Sequence, residues 1–201
     1  DVEGIYANLF GFKYFGFATT PTNTLALQIA SEPNKLDPAL NSTVDGACLA
    51  ILAFSGLFMY DENGQLTPDL VDTYEMTEDG LTYTFTMKDG LKWSDGTELT
   101  AKDVEYSWQR LANPDTGADY AYLTTVIKTK DDGTLDVAAS EDGKTFTVNL
   151  VAPCAYFLDL CAFPAFYPVP QANIESAEGY AENPGAWCTE AGFVSSGPMV
   201  C

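Results

Sequence analysis

The sequence predicts an α+β fold, an elaboration of α/β, on three observations. A series of Asn-Gly and Asp-Gly dipeptides punctuates the chain, one segment alternates apolar and Thr residues without a fault, and one helix carries its own capping signal. Strands and helices mix without a regular βαβ rhythm.

The dipeptides read as turns are Asn63-Gly64, Asp79-Gly80, Asp89-Gly90, Asp95-Gly96, Asp132-Gly133 and Asp142-Gly143. Each places residues tolerant of positive φ where a tight hairpin needs them, so the middle of the chain is expected to be rich in antiparallel strands. Leu81 to Met87 is the clearest strand, with one face buried and one wet. Thr77 to Phe85 is echoed by Ser140 to Val148. Two copies are too few for a solenoid, and they read as two hairpins of one sheet.

Thr100 at an N-cap with Asp103 three residues on forms a capping arrangement, Val104, Trp108 and Leu111 follow at helical spacing, and Asn113-Pro114 stops the run. Further helices are expected over about 44–59, over 155–162 with Pro164 closing it, and over 171–181, ending near Asn183-Pro184.

The 201 residues, 46% hydrophobic, suffice for one or two folded domains. Nine basic against 29 acidic residues give a net charge of −20, and Arg110 is the only arginine. Such a chain repels phosphate backbones and anionic lipid, so no nucleic-acid partner is expected. Histidine is absent, which removes His-based acid–base chemistry, Ser-His and Cys-His pairs and His-ligated zinc. The longest apolar run, Ala47 to Phe54, is far short of the roughly 20 residues that span a bilayer. No leader is visible, and if the protein is exported its targeting segment is expected to have been removed. The five cysteines, Cys48, Cys154, Cys161, Cys188 and Cys201, form no CxxC pair and allow at most two disulfides. Cys48 and Cys161 lie in apolar stretches and are expected to be buried.

Acidic loops at Asp61-Glu62-Asn63-Gly64 and Asp131-Asp132-Gly133 lack the alternating ligands and distal Glu of an EF-hand and read as solvated hairpin tips. With so many acids, no feature selects a glycosidase pair. GxSxG, GxxxxGK[ST] and GxGxxG are all missing. The chain is therefore read as no enzyme, with no cofactor and no metal. The sequon Asn41-Ser42-Thr43 is taken as chance. Aromatic residues at Tyr120-Ala121-Tyr122 and over 163–170 mean core packing by default, with a minority available to line a ligand cleft.

The run Lys92-Trp93-Ser94-Asp95-Gly96-Thr97-Glu98-Leu99-Thr100-Ala101-Lys102-Asp103-Val104, continuing through Tyr106-Ser107-Trp108-Gln109-Arg110 to Asn113-Pro114, resembles family 5 of the extracellular solute-binding proteins, the oligopeptide-binding type of ABC importers. Glu32 to Pro38 looks like the family's opening strand and loop, Phe54 to Leu57 like its first lobe helix, and Val194 to Pro198 like its return to the first lobe. The resemblance covers about 24–201. It implies part of a periplasmic-binding-protein type II-like lobe with antiparallel hairpins and packed helices. Residues 24–54 would open lobe I, 55–170 would form the extra domain of this class, and 171–201 would return to lobe I. Residues 1–23 look like the family's C-terminal tail set in front of the opening strand through a polar joint, Thr20 to Asn23.

Family members are several hundred residues longer, with two lobes closing over a peptide, so the second lobe is expected to lie outside this chain. By the same resemblance, peptide is held through its backbone by strand addition. Asn41, Ser42, Thr43 and Val44 match the ligand-facing backbone of the first lobe, and Tyr120 matches an aromatic at the cleft edge. A loop and N-cap at Asn41–Thr43, and plain packing of Tyr120, are the other readings of these residues. Ser55 stands where the family commonly has an acid. The implied partners are an oligopeptide ligand, bound weakly or not at all by this chain alone, and ABC permease subunits for the complete protein. The implied place is extracytoplasmic, in a bacterial periplasm or anchored at the cell surface as a lipoprotein. Two alternatives stand: a truncated or engineered structural or interaction module without ligand, with Cys188 and Cys201 flanking the last strand and able to lock it, and a dipeptide, nickel or sugar binder of the same superfamily.

Overall fold

A computed structural model describes residues 28–33, 35–180, 182–189 and 193–199. The chain forms two compact units, 1–30 and 31–201, and the elements below belong to the second. The expectations for 1–23 and for Cys201 lie outside the described residues.

Helix α1 covers Val44–Ala53. A hairpin of β1, Phe58–Tyr60, and β2, Leu66–Pro68, follows. The main sheet is antiparallel, in the order β3-β4-β6-β5, with β3 at Val71–Met76, β4 at Thr82–Met87, β5 at Val137–Ala139 and β6 at Thr145–Asn149. The two echoed segments are thus the second strands of two hairpins, lying side by side in register: Phe85 faces Phe146 and Tyr83 faces Val148. On one face Tyr83, Phe85, Phe146 and Val148 are buried. On the other, Thr82 Oγ1 donates to Asn149 Oδ1 at 2.7 Å.

The repeated turn grammar has a local cause. Asp79 Oδ1 accepts from Thr77 Oγ1 at 2.6 Å and from Leu81 N at 3.1 Å. Asp142 Oδ1 accepts from Ser140 Oγ at 2.5 Å and from Lys144 N at 3.1 Å. Gly80 and Gly143 follow at φ 69° and 70°, where only glycine turns without strain. The acidic tip at Asp61 is used the same way, its Oδ1 accepting from Asn63 N and Gln65 N at 2.8 Å each.

Helix α2, Ala101–Ala112, lies against the sheet. Its capping box is complete: Thr100 Oγ1 accepts from Lys102 N at 3.3 Å, and Thr100 N donates to Asp103 Oδ2 at 2.7 Å. Val104, Trp108 and Leu111 are fully buried. Trp108 packs edge-on against Phe146 at 4.9 Å and Phe166 at 5.1 Å, and its Nε1 donates to Phe166 O at 2.9 Å. Two short helices complete the unit, α3 at Phe157–Leu160 and α4 at Gln171–Ser176. Among the described residues, no helix is long and apolar enough to cross a membrane.

Several expectations need correction. The helix expected over 44–59 ends at Ala53, and Phe54 is already extended, so Phe54 to Leu57 is a linker rather than a helix. Glu32 to Pro38 contains no strand among its described residues. The helices expected over 155–162 and 171–181 shrink to four and six residues. Neither has a side-chain N-cap, and Ala177 turns extended after the second. Cys48 is exposed, whereas Cys161 is buried as expected. Cys188 is a free thiol, as are Cys48, Cys154 and Cys161. It sits in a single 3-10 turn, Ala186–Cys188, rather than beside a strand.

Thr100→Ala removes the cap of the helix that carries Trp108 and is expected to cost about 1 kcal/mol in denaturant unfolding. The Asp142 carboxyl is held below its ordinary value of 3.8 by the Ser140 hydroxyl and then the Lys144 amide. Its contribution to stability is therefore present above pH 3.8 and lost as pH falls through the lowered folded value. Asp142→Asn is expected to lower Tm at pH 6, with the gap to the parent protein closing in melts run below that window. A gap independent of pH would contradict the assignment.

Candidate functional site

The loop before α1 is built around Asp37, whose side chain is fully buried. Its Oδ1 accepts from Ala39 N at 3.0 Å, and its carbonyl accepts from Leu40 N at 3.1 Å and Asn41 N at 2.9 Å, which rolls Asp37–Asn41 into a turn. Arg110 of α2 grips the same carboxylate with both Nη atoms, at 3.1 Å to Oδ1 and 2.6 Å to Oδ2. Trp187 Nε1 donates to Oδ2 at 2.7 Å, and Arg110 Nη2 also donates to Pro184 O at 2.9 Å. Burial works against the Arg110 charge, but Asp37 outweighs it and raises the guanidinium above its ordinary value. Beside them, burial and then the Asp37 charge push the Cys188 thiol up to about 12. It stays protonated and unreactive.

The turn delivers Asn41, also buried, to the start of α1. Asn41 Oδ1 accepts from Thr43 N at 3.1 Å and from Thr43 Oγ1 at 2.9 Å, while Nδ2 donates to Thr43 O at 3.0 Å. Thr43 is the N-cap, extended at φ −112° and ψ 150°, and its Oγ1 accepts from Gly46 N at 3.2 Å. A Cβ on Gly46 would sit 2.0 Å from Asn41 Oδ1, so glycine leaves the space that the Asn41 amide fills. With Asn41 turned inward, Ser42 and Val44 face solvent, Val44 at 81% exposure. Among the described residues, the Ser42 N–H and C=O have no partner.

Residues 194–199 close the other end of α1. Ser196 N and Gly197 N donate to Ala53 O at 3.0 and 2.8 Å, and Met199 N donates to Leu52 O at 3.0 Å. Ser196 Oγ accepts from Ser55 N at 3.0 Å. Ser195 ties the same segment to the tryptophan hairpin, Ser94 N donating to Ser195 O at 2.8 Å and Ser195 N to Ser94 Oγ at 3.0 Å. Phe54, Trp187 and Phe193 pack as a triangle with centroids 5.8–5.9 Å apart.

A cavity of about 230 Å³ opens beside Asp37, lined by Glu32, Lys35, Asn183 and Cys188 among others. It is smaller than the roughly 300–1,000 Å³ of enclosed ligand sites. Among the described residues, no group of three or more acids or thiols is placed to hold a metal ion.

Residues 65–199 match the family described as bacterial extracellular solute-binding proteins, family 5 Middle. This chain belongs to that family. It is 36% identical over 186 residues to the oligopeptide-binding protein OppA of Bacillus subtilis, covering 88% of this chain and 33% of that protein. It is 34% identical over 168 residues to a dipeptide-binding protein of Lactococcus lactis, covering 80% of this chain and 30% of that one. The solved murein tripeptide binding protein MppA of Escherichia coli matches with a TM-score of 0.74 at 32% identity, covering 86% of this chain and 34% of that structure. This family 5 chain thus spans about a third of the length of the relatives it matches.

Within the family 5 chain, Asn41 to Thr43 are the loop and N-cap that lead into α1 at Val44. Tyr120 stands elsewhere, half-buried, its ring edge-on to Phe163 at 5.1 Å and tilted against Tyr122 at 6.2 Å. The Ser55 hydroxyl lies beside Asp69, whose carboxyl burial raises and Ser55 partly lowers. Sequence reasoning missed Asp37, Arg110, Trp187 and Gly46 as the residues that shape the loop. The available signal was Arg110, a lone arginine in a chain of net charge −20.

A Cβ on Gly197 would lie 2.6 Å from Ala53 C, Leu52 O and Phe54 N, all backbone. Gly197→Ala is expected to cost about 1–3 kcal/mol in denaturant unfolding, because neither backbone can yield without losing the bonds that close α1. A neutral result would show that the return segment does not pack as described.

Proposed function

We propose that this chain is part of the ligand-binding protein of a bacterial ABC importer for short peptides, working outside the cytoplasm and delivering ligand to permease subunits. The observation that carries this reading is the segment Asn41–Val44, a loop and N-cap leading into α1. It offers the N–H and C=O of an exposed Ser42, unpartnered among the described residues, next to an extended Thr43, on a support whose polar side chain is turned inward. Such a surface pairs with the backbone of an extended chain and reads few of its side chains. Relatives named for binding oligopeptides, dipeptides and murein peptides agree with that chemistry.

In this reading 55–170 form the extra domain around Trp108, while 24–54 and 171–201 belong to the lobe that meets ligand. The Phe54–Trp187–Phe193 triangle supports the division, since it draws its rings from both lobe segments. Tyr120 contributes an aromatic wall at the cleft edge. Closure over the peptide requires surface beyond this loop, so the chain alone binds only weakly.

Titrating tri- to pentapeptides, and dipeptides in parallel, into isotope-labelled chain is expected to move the amides of Ser42, Thr43 and Val44 and the ring of Tyr120, with a midpoint no tighter than about 1 mM. No movement up to about 10 mM would overturn the peptide reading. A micromolar constant by calorimetry would overturn the expectation of weak binding.

A further inference from the structure

We infer that Arg110 is a positioning residue for the ligand-facing loop, acting through Asp37, and that it is the route by which helix α2 sets the geometry of Asn41–Val44. The inference rests on the reading of that loop given above. Arg110 does not itself reach the loop. Its side chain is 3% exposed and its two Nη groups are spent on Asp37 and Pro184. Asp37 does reach it: the carboxylate receives Ala39 N and the carbonyl receives Asn41 N. The next polar contact is Asn41 Oδ1 receiving Thr43 N. From guanidinium to N-cap, the chain of hydrogen bonds is unbroken.

The shape of the contact matters as much as its charge. A planar fork fixes both the position and the rotation of the carboxylate, because each Nη meets a different oxygen. A lysine would supply a point charge and leave that rotation free. Rotation of the Asp37 carboxylate moves the acceptor of Ala39 N, and with it the turn that ends at Asn41. Trp187 Nε1, on Oδ2, opposes the same rotation from the other side.

The test is site-resolved hydrogen exchange of the whole chain, which needs no peptide. In Arg110→Lys the amides of Ala39, Leu40, Asn41 and Thr43 are expected to exchange about tenfold faster or more, while the amides of the β4–β6 ladder stay within about twofold of the parent. Acceleration by one common factor throughout would show a merely structural role and overturn the inference, as would unchanged loop amides. Trp187→Phe keeps a ring in place and removes one donor to Asp37. It is expected to accelerate the same amides alone, by roughly threefold. Should Arg110→Lys fail to fold, Trp187→Phe decides, and loop amides unchanged in it refute the proposal. A failed peptide titration would leave this result standing, so the two readings fall separately.

Discussion

The buried pair of Asp37 and Arg110 is the constraint around which the described unit is arranged. In a chain of net charge −20, one carboxylate has been taken wholly out of water, and the only arginine goes with it. Four donors meet its two oxygens: two Nη groups, the Ala39 amide and the Trp187 indole. Such a pair adds little net stability when formed, because desolvation of both ions offsets their attraction. Losing one partner is another matter, at about 3–5 kcal/mol, because the survivor is left charged and dry. The consequence is specificity of arrangement. Segments 73 and 150 residues apart in sequence have one low-energy way to meet.

Stability itself comes from the rings. Trp108 stands between the sheet and the Pro164–Phe166 turn, and truncating a buried aromatic of this kind costs about 3–5 kcal/mol. The second aromatic group, Phe54 with Trp187 and Phe193, closes over the Asp37 cluster's own indole. The ion pair thus lies where two ring clusters come together, with Arg110 on the helix that carries Trp108 and Asp37 bonded to Trp187. The excess acid is elsewhere, at hairpin tips, where carboxylates such as Asp79 and Asp142 fold back on their own turns.

How much of this was legible follows from the range of the forces involved. The Asp-Gly turns, the Thr100 capping box and the alternation of β4 are decided within a few residues, and all three stand as read. The end of α1 is decided by donors of Ser196, Gly197 and Met199, with Ser55 bonded across 141 residues. Its apolar run offered no internal stop, and exposed Val44 and Ile51 show that burial on α1 does not follow hydrophobicity. The loop at Asn41–Val44 was located by family pattern, but Asp37, Arg110 and Trp187 act as a set only in three dimensions. Periodicity cannot show a contact whose members sit on a loop, a helix and a 3-10 turn.

A site that recognises backbone makes a particular demand on the protein behind it. With few side-chain contacts to correct a misplaced ligand, affinity depends on donors and acceptors already standing at strand spacing, because any ordering left until binding is subtracted from it. An isolated stretch of three polar residues would not hold such an arrangement, since each fixed residue costs about 1–2 kcal/mol of backbone entropy. For the proposed site, Asn41 folds under the loop, Gly46 makes room for its amide, and Asp37 anchors the turn that precedes both. Placing the anchor on α2 ties the loop to the helix that carries Trp108.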